Sequence, residues 1–184
     1  DPDSLHGGLG SEWLLGCVAH YEYRLGLRRE RAVELARRAL APGNLLASGS
    51  IAFYYAAMVL PQSGLLDEAV SIFDQAVADA RRRGDVFNVA FMLMWRGYCQ
   101  TRRGDLRAAV ADLREAIDLC VAHGMLVAWQ YNIAFLALAL LEQGETDEAA
   151  RVIVQGDFAE QLPLGQVPLV WFRLSRGRLR IETG

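Results

Sequence analysis

Apolar and polar residues along this chain follow a helical period. Residues such as Ala69, Ile72, Phe73 and Ala76, or Leu106, Ala109, Val110, Leu113, Ala116 and Ile117, recur at the spacing that puts them on one face of an amphipathic helix. Glycine interrupts these stretches at regular intervals. Gly64, Gly104, Gly144 and Gly184 are 40 residues apart, and Gly84 and Gly124 form a second series of the same period, offset by 20. The second series extends to Gly43 and Gly165, each one position out of register. A glycine just past the last periodic residue is a helix stop, because it adopts positive φ without a side-chain clash. Each 40-residue unit is therefore read as two helices of about 15 residues, giving units at 11–43, 46–83, 86–123 and 126–160, then a final helix at 167–184.

Within a unit, small residues stand 12 apart where its two helices would cross: Ala57 with Ala69, Gly97 with Ala109, and Ala137 with Ala149. Together with Ala69, Phe73 and Ala76 in a second helix, this resembles the tetratricopeptide pattern; a period of 40 also suits HEAT-like pairs, but the crossing residues favour long tetratricopeptide hairpins. The expected fold is all-α, a right-handed superhelical stack of antiparallel hairpins in one repeat domain. The first unit is less regular, with helices around Ser11 to Leu25 and Glu30 to Leu40. In the fourth, Gly156 replaces the second small residue, and Phe158 to Gly165 with Pro163 predicts a shortened second helix and an irregular connection. Arg176-Gly177 repeats Arg96-Gly97 eighty residues on, so 167–184 reads as a first helix whose partner is missing, as expected of a piece of a longer protein.

Charge refines this picture. Acids gather at the starts of second helices (Asp67-Glu68, Asp105, Asp147-Glu148) and arginines before the stops (Arg81 to Arg83, Arg102-Arg103), which complements the helix dipole. A formal charge of −3 gives no general attraction to nucleic acid or an anionic membrane. All 19 basic residues are arginine, which excludes a phosphate-binding loop with its lysine and a Schiff-base lysine. The longest apolar runs, Ile51 to Leu60 and Ile133 to Leu141, are about half the roughly 18 residues of a membrane span. No cationic-then-apolar leader opens the sequence, and a cytoplasmic setting is expected.

Candidate chemistry is sparse. Cys17, Cys99 and Cys120 are widely spaced in apolar helical patterns and read as buried hydrophobes. His6, His20 and His123 lie far apart with no metal-ligand spacing. Serines at 48, 50, 63, 71 and 175 have no nucleophile elbow. We expect no catalysis, metal or cofactor. A binding surface is easier to read, because residues repeating every 40 positions form ladders across stacked first helices. These are Ile51, Phe91, Tyr131, Trp171; then Tyr54, Met94, Ala134, Leu174; then Met58, Tyr98, Leu138, Arg178. Tyr54, Met58, Phe91, Met94, Tyr98, Tyr131, Trp171 and Arg178 are the candidate groove for a protein helix, a peptide or a flat small molecule. Inter-repeat core is the competing reading, and Trp95 and Trp129 fit core equally well. Arg173, Arg176, Arg178 and Arg180 give the last helix a basic stripe suited to acids.

The runs Gly64-Leu-Leu-Asp-Glu-Ala-Val, Arg96-Gly-Tyr-Cys-Gln-Thr-Arg-Arg-Gly-Asp-Leu-Arg-Ala-Ala and Arg176-Gly-Arg-Leu-Arg-Ile-Glu-Thr-Gly resemble the tetratricopeptide-like region of large actinobacterial LuxR-type (MalT-like) transcriptional regulators. The resemblance implies a regulatory segment between a nucleotide-hydrolysing domain and a helix-turn-helix domain. Such a segment would sense a small-molecule inducer or a protein partner, influence homo-oligomerisation, and bind no DNA itself. The alternative is a free-standing scaffold that binds a peptide or helix of a partner protein.

Overall fold

In a computed structural model that describes residues 7–156 and 167–183, every regular element is a helix. They are α1 (Leu9–Arg24), α2 (Arg29–Leu40), α3 (Asn44–Ala47), α4 (Ile51–Gln62), α5 (Leu66–Arg83), α6 (Val86–Arg103), α7 (Leu106–His123), α8 (Leu126–Glu142), α9 (Thr146–Gln155) and α10 (Val167–Thr183). The short α3 was not anticipated. Its four residues carry no helical apolar period, and one, Leu45, is fully buried. The fourth unit's second helix is short, as expected, at 10 residues. The connection expected over Phe158 to Gly165 lies outside the described residues, as does Gly184.

The turns repeat as closely as the helices do. The amides of Leu65, Asp85, Asp105, Met125 and Glu145 bond to the carbonyls of Leu60, Ala80, Gln100, Cys120 and Leu140 at 2.9–3.0 Å, the same six-residue closure every 20 residues. It needs left-handed backbone at the penultimate residue, which Gly104 (φ 93°) and Gly124 (φ 67°) supply. Among the described residues, every positive φ belongs to glycine.

The chain divides into two compact units between Asp79 and Ala80, within α5. In the first, α1 packs on α2 and α4, and α2 also packs on α4. Its core holds Leu35, Leu45, Phe53, Leu60 and Phe73, with the rings of Phe53 and Phe73 edge to face. In the second, α6 pairs with α7, and α8 packs on α6, α7, α9 and α10. Within this unit α6 and α8 each meet their own second helix and the first helix of the next pair.

The expected crossing residues sit at these contacts. Ala57, Ala69, Ala109, Ala137 and Ala149 are fully buried. At Gly97, a Cβ would stand 2.7 Å from Leu113 Cγ and 3.3 Å from the Ala109 carbonyl oxygen, so only hydrogen fits between α6 and α7. Two further close approaches involve glycines outside the crossing pattern. A Cβ on Gly16 would meet the Ala52 carbonyl oxygen at 2.8 Å, where α1 crosses α4. One on Gly156 would meet Ile133 Cγ2 at 2.5 Å and the Phe172 ring at 3.1 Å. The departure from alanine at Gly156 therefore lets α8 and α10 close over the end of α9.

Charged groups do more than complement dipoles. Arg37 holds Glu68 by two bonds of 2.7 and 2.9 Å (α2 to α5), Arg81 holds Glu115 (α5 to α7), and Arg114 holds Glu148 (α7 to α9). Successive second helices are thereby cross-linked by arginine and glutamate. These arginines are half exposed, so each link is individually weak. The Arg96 to Asp112 pair differs: both side chains are largely buried beside Gly97, and two bonds of 2.6 and 2.7 Å form a guanidinium fork. Asp105 makes no cap bond and turns to Arg103. Asp85 does cap α6, accepting the Asn88 amide at 3.0 Å.

Two outcomes are expected from urea unfolding. Gly97→Val destabilises the chain by about 2 kcal/mol through overpacking against Leu113, whereas Gly177→Ala, where a Cβ meets nothing within 4 Å, stabilises it by about 0.5–1 kcal/mol. Equal effects at the two sites would contradict this packing. The bonds from the Asn88 side chain and amide hold the Asp85 carboxyl below its ordinary value of 3.8. Its folded value being the lower, its stabilisation is fully present above pH 3.8 and fades as the pH falls through the folded value. Asp85→Ala should cost about 1 kcal/mol at pH 7 and flatten the acid limb of the stability profile.

Candidate functional site

In the second unit, three first helices, α6, α8 and α10, bring a set of aromatic side chains together. Phe135, fully buried on α8, is the hub: its ring centroid lies 5.7 Å from Trp95, 5.0 Å from Tyr98, 6.1 Å from Tyr131 and 5.3 Å from Trp171. Tyr98 and Trp171 are edge to face at 5.5 Å, closing the ring cluster from α6 to α10. Tilted and edge-on contacts of this kind are favoured by the ring quadrupoles and lock the rotamers involved.

Where the cluster reaches the surface it forms a hollow of about 230 Å³, walled by Tyr98, Phe135, Leu138, Trp171 and Leu174. Its rim carries Thr101, Arg102, Glu142 and Arg178. Arg102 lies over the Tyr98 ring at 5.8 Å. Arg178 donates to Glu142 and, at 3.0 Å, to Glu182, and these bonds raise its pKa. A hollow of this size, with flat rings inside, suits one aromatic ring or large apolar side chain, and an anionic group on it would compete with Glu142 and Glu182 for Arg178.

Of the expected groove residues, Phe91, Tyr98, Tyr131 and Trp171 are half-buried on this face or beside it. Tyr98, Trp171 and Arg178 line the hollow itself. Met94 is fully buried and Met58 nearly so, and both belong to core rather than groove. A 40-residue ladder cannot distinguish them, because each first helix has two apolar faces, one toward its hairpin partner and one toward its neighbours. Tyr54 and Met58 lie in the first unit, Tyr54 half-buried with Phe53 edge to face at 6.0 Å. Arg178 is held by carboxylates, so the basic stripe is not uniform. The hub belongs to a further ladder of the same 40-residue spacing, Tyr55, Trp95, Phe135 and Ser175, which is not among the three candidate ladders. Trp129 packs against a small separate cluster of Ala90, Cys120 and Ala128.

The other hollows offer less. One of about 870 Å³ spreads over the α6–α7 turn and the end of α8, open and lined by Asp105, Arg107, Glu142 and Glu145 without an aromatic wall. Burial pushes the Cys99 thiol up to about 12 and the Cys120 thiol up to about 11, away from the thiolate a nucleophile requires. His20 stacks on Tyr55 at 5.0 Å, and its pKa is lowered, first by burial and then by Arg24. Among the described residues, no three of His, Cys, Asp and Glu are grouped to hold a metal ion, and no helix is long and apolar enough to cross a membrane.

No protein-family model matches the chain, and no curated protein matches it.

Phe135→Ala is expected to cost about 3–5 kcal/mol in urea unfolding, since it empties the centre of the cluster. Trp171→Ala, removing a half-buried wall, should cost distinctly less. A loss at Trp171 equal to that at Phe135 would mean that the hollow is continuous core.

Proposed function

We propose that this chain is a regulatory or sensing module of a longer protein, built as a right-handed superhelical stack of tetratricopeptide-like hairpins. It binds a protein, a peptide or a small-molecule inducer on the face formed by its first helices. The observation that carries this reading is the hollow between α6, α8 and α10, where Tyr98 and Trp171 remain half-exposed over the buried Phe135 and guanidinium groups edge the mouth. The turn closure every 20 residues and the contacts of α8 with α6 and α10 support the stack. The raised thiols and scattered histidines fit a role that is not enzymatic. The resemblance to LuxR-type regulators makes a transcriptional activator the first candidate for the parent protein, with the DNA contact made elsewhere. A coding frame with no nucleotide-binding loop before this segment and no helix-turn-helix after it would remove that assignment.

Aromatic carboxylates of about ten to fifteen non-hydrogen atoms, titrated against intrinsic tryptophan fluorescence, test the site directly. Saturable quenching with a Kd between about 10 µM and 1 mM, abolished by Tyr98→Ala and Trp171→Ala with far-UV circular dichroism unchanged, is expected. A response that survives both substitutions, or no response across the series, would return these aromatics to the core.

A further inference from the structure

The four first helices α4, α6, α8 and α10 are related by 40-residue steps, and three of them bury the face that a second helix covers. At one position of that face, Phe53, Leu93 and Ile133 are buried; at another, Ala57, Gly97 and Ala137; at a third, Leu60, Gln100 and Leu140. The equivalents on α10 are Arg173, Gly177 and Arg180, and all three are exposed. Nothing lies within 4 Å of a Cβ built on Gly177. A glycine inside an exposed helix lowers its stability by about 1 kcal/mol without local compensation. At Gly97 the compensation is visible, because Leu113 and the Ala109 carbonyl occupy the place of the missing side chain.

The residue preceding the glycine identifies what would cover α10. Sixteen residues on from this position in each hairpin stands a residue of matching kind: Ala56 and Ile72, Arg96 and Asp112, Leu136 and Val152. Where the first helix has an apolar residue, the second has one too; where it has arginine, the second has aspartate. The Arg96 to Asp112 pair is a largely buried fork. On α10 this position is Arg176, half-buried and beside Gly177 as Arg96 is beside Gly97. No ion pair joins Arg173, Arg176 or Arg180 to a carboxylate among the described residues. The opposing pattern is constant as well: Ala69, Ala109 and Ala149, with Phe73, Leu113 and Ile153 four residues on.

We propose that the outer face of α10 is a docking surface for a partner's amphipathic helix of the pattern Ala-x-x-Asp-Leu-x-x-Ala, with further acids flanking it. Its leucine seats over Gly177, its aspartate forms a fork with Arg176, and the flanking acids meet Arg173 and Arg180. Charge complementarity selects this occupant over an uncharged amphipathic helix, because Arg173 and Arg180 stand where the earlier hairpins present phenylalanine, leucine, isoleucine or glutamine, and Arg176 repeats the one arginine, Arg96, that is met by an aspartate.

The test uses the 184-residue chain and two fluorescein-labelled 18-residue peptides. One has the Leu106–His123 sequence with Cys120→Ala; the other adds Arg107→Glu and Arg114→Glu. By fluorescence anisotropy the acidic peptide is expected to bind about tenfold or more tightly than the first, and Arg176→Gln in the chain should weaken it about tenfold or more. Gly177→Leu should abolish binding while circular dichroism stays unchanged. That variant also distinguishes docking on α10 from exchange with α7, which would persist in it. Failure of both peptides to bind, equal binding of the two, binding that survives Gly177→Leu, or loss of acidic-peptide binding in a chain extended along its coding frame beyond Gly184, where a helix of the same chain takes the face, would overturn the proposal. Because α10 presents this face away from the aromatic hollow, neither result depends on ligand binding there.

Discussion

Close approach of two helix backbones is the constraint on which the rest of this structure depends. A hairpin of two amphipathic helices buries its shared face well only where the crossing residues are small, and the chain places alanine or glycine there in each central hairpin. At Gly97 the tolerance is below one methyl group, since a Cβ would overlap Leu113. That approach brings the Arg96 guanidinium within two short bonds of Asp112 and removes both from water. Leaving either charge alone there would cost more than the pair contributes. The crossing therefore fixes the depth of the pairing and, with it, which faces of each first helix remain for its neighbours.

Those remaining faces carry the candidate function. Once α7 and α9 cover one side of α6 and α8, the other side turns Trp95, Tyr98, Tyr131 and Phe135 toward one another and toward Trp171 on α10. The rings pack at tilted and edge-on angles, so the cluster is both core and surface: Phe135 is sealed, while Tyr98 and Trp171 keep one face toward the hollow. An arginine over a tyrosine ring and a second arginine held by two glutamates make the mouth polar. Such a site is preorganised, because its walls are fixed by packing before any ligand arrives.

Charge has two roles here that sequence inspection does not separate. Glutamates in first turns and arginines in last turns suit the helix dipole wherever they occur. In the folded chain, however, Glu68, Arg81 and Glu148 also bond to a neighbouring second helix, so that dipole complementation and inter-helix linkage use the same residues. The links are exposed and individually weak. Their contribution is to register, since a shift by one turn of helix would separate the partners of all three pairs. On α10 the same vocabulary of glycine and arginine is present, and among the described residues no carboxylate pairs with Arg173, Arg176 or Arg180.

The sequence by itself determined the helices, the stops between them and the small crossing residues. All three follow from local chemistry: the 3.6-residue period, the positive φ that glycine permits, and the volume of a side chain. It also placed Phe91, Tyr98, Tyr131 and Trp171 on a common ladder. Only the tertiary structure decided which ladder faces what, because a 40-residue repeat marks equivalent positions without saying whether they point to the hairpin partner or to the adjoining first helix. Met94 and Tyr98 are four residues apart on α6, yet one is sealed in core and the other walls the hollow. Phe135 as the hub, the carboxylates holding Arg178, and the room that Gly156 leaves for Ile133 and Phe172 likewise depend on contacts between segments distant in the chain, which no local pattern encodes.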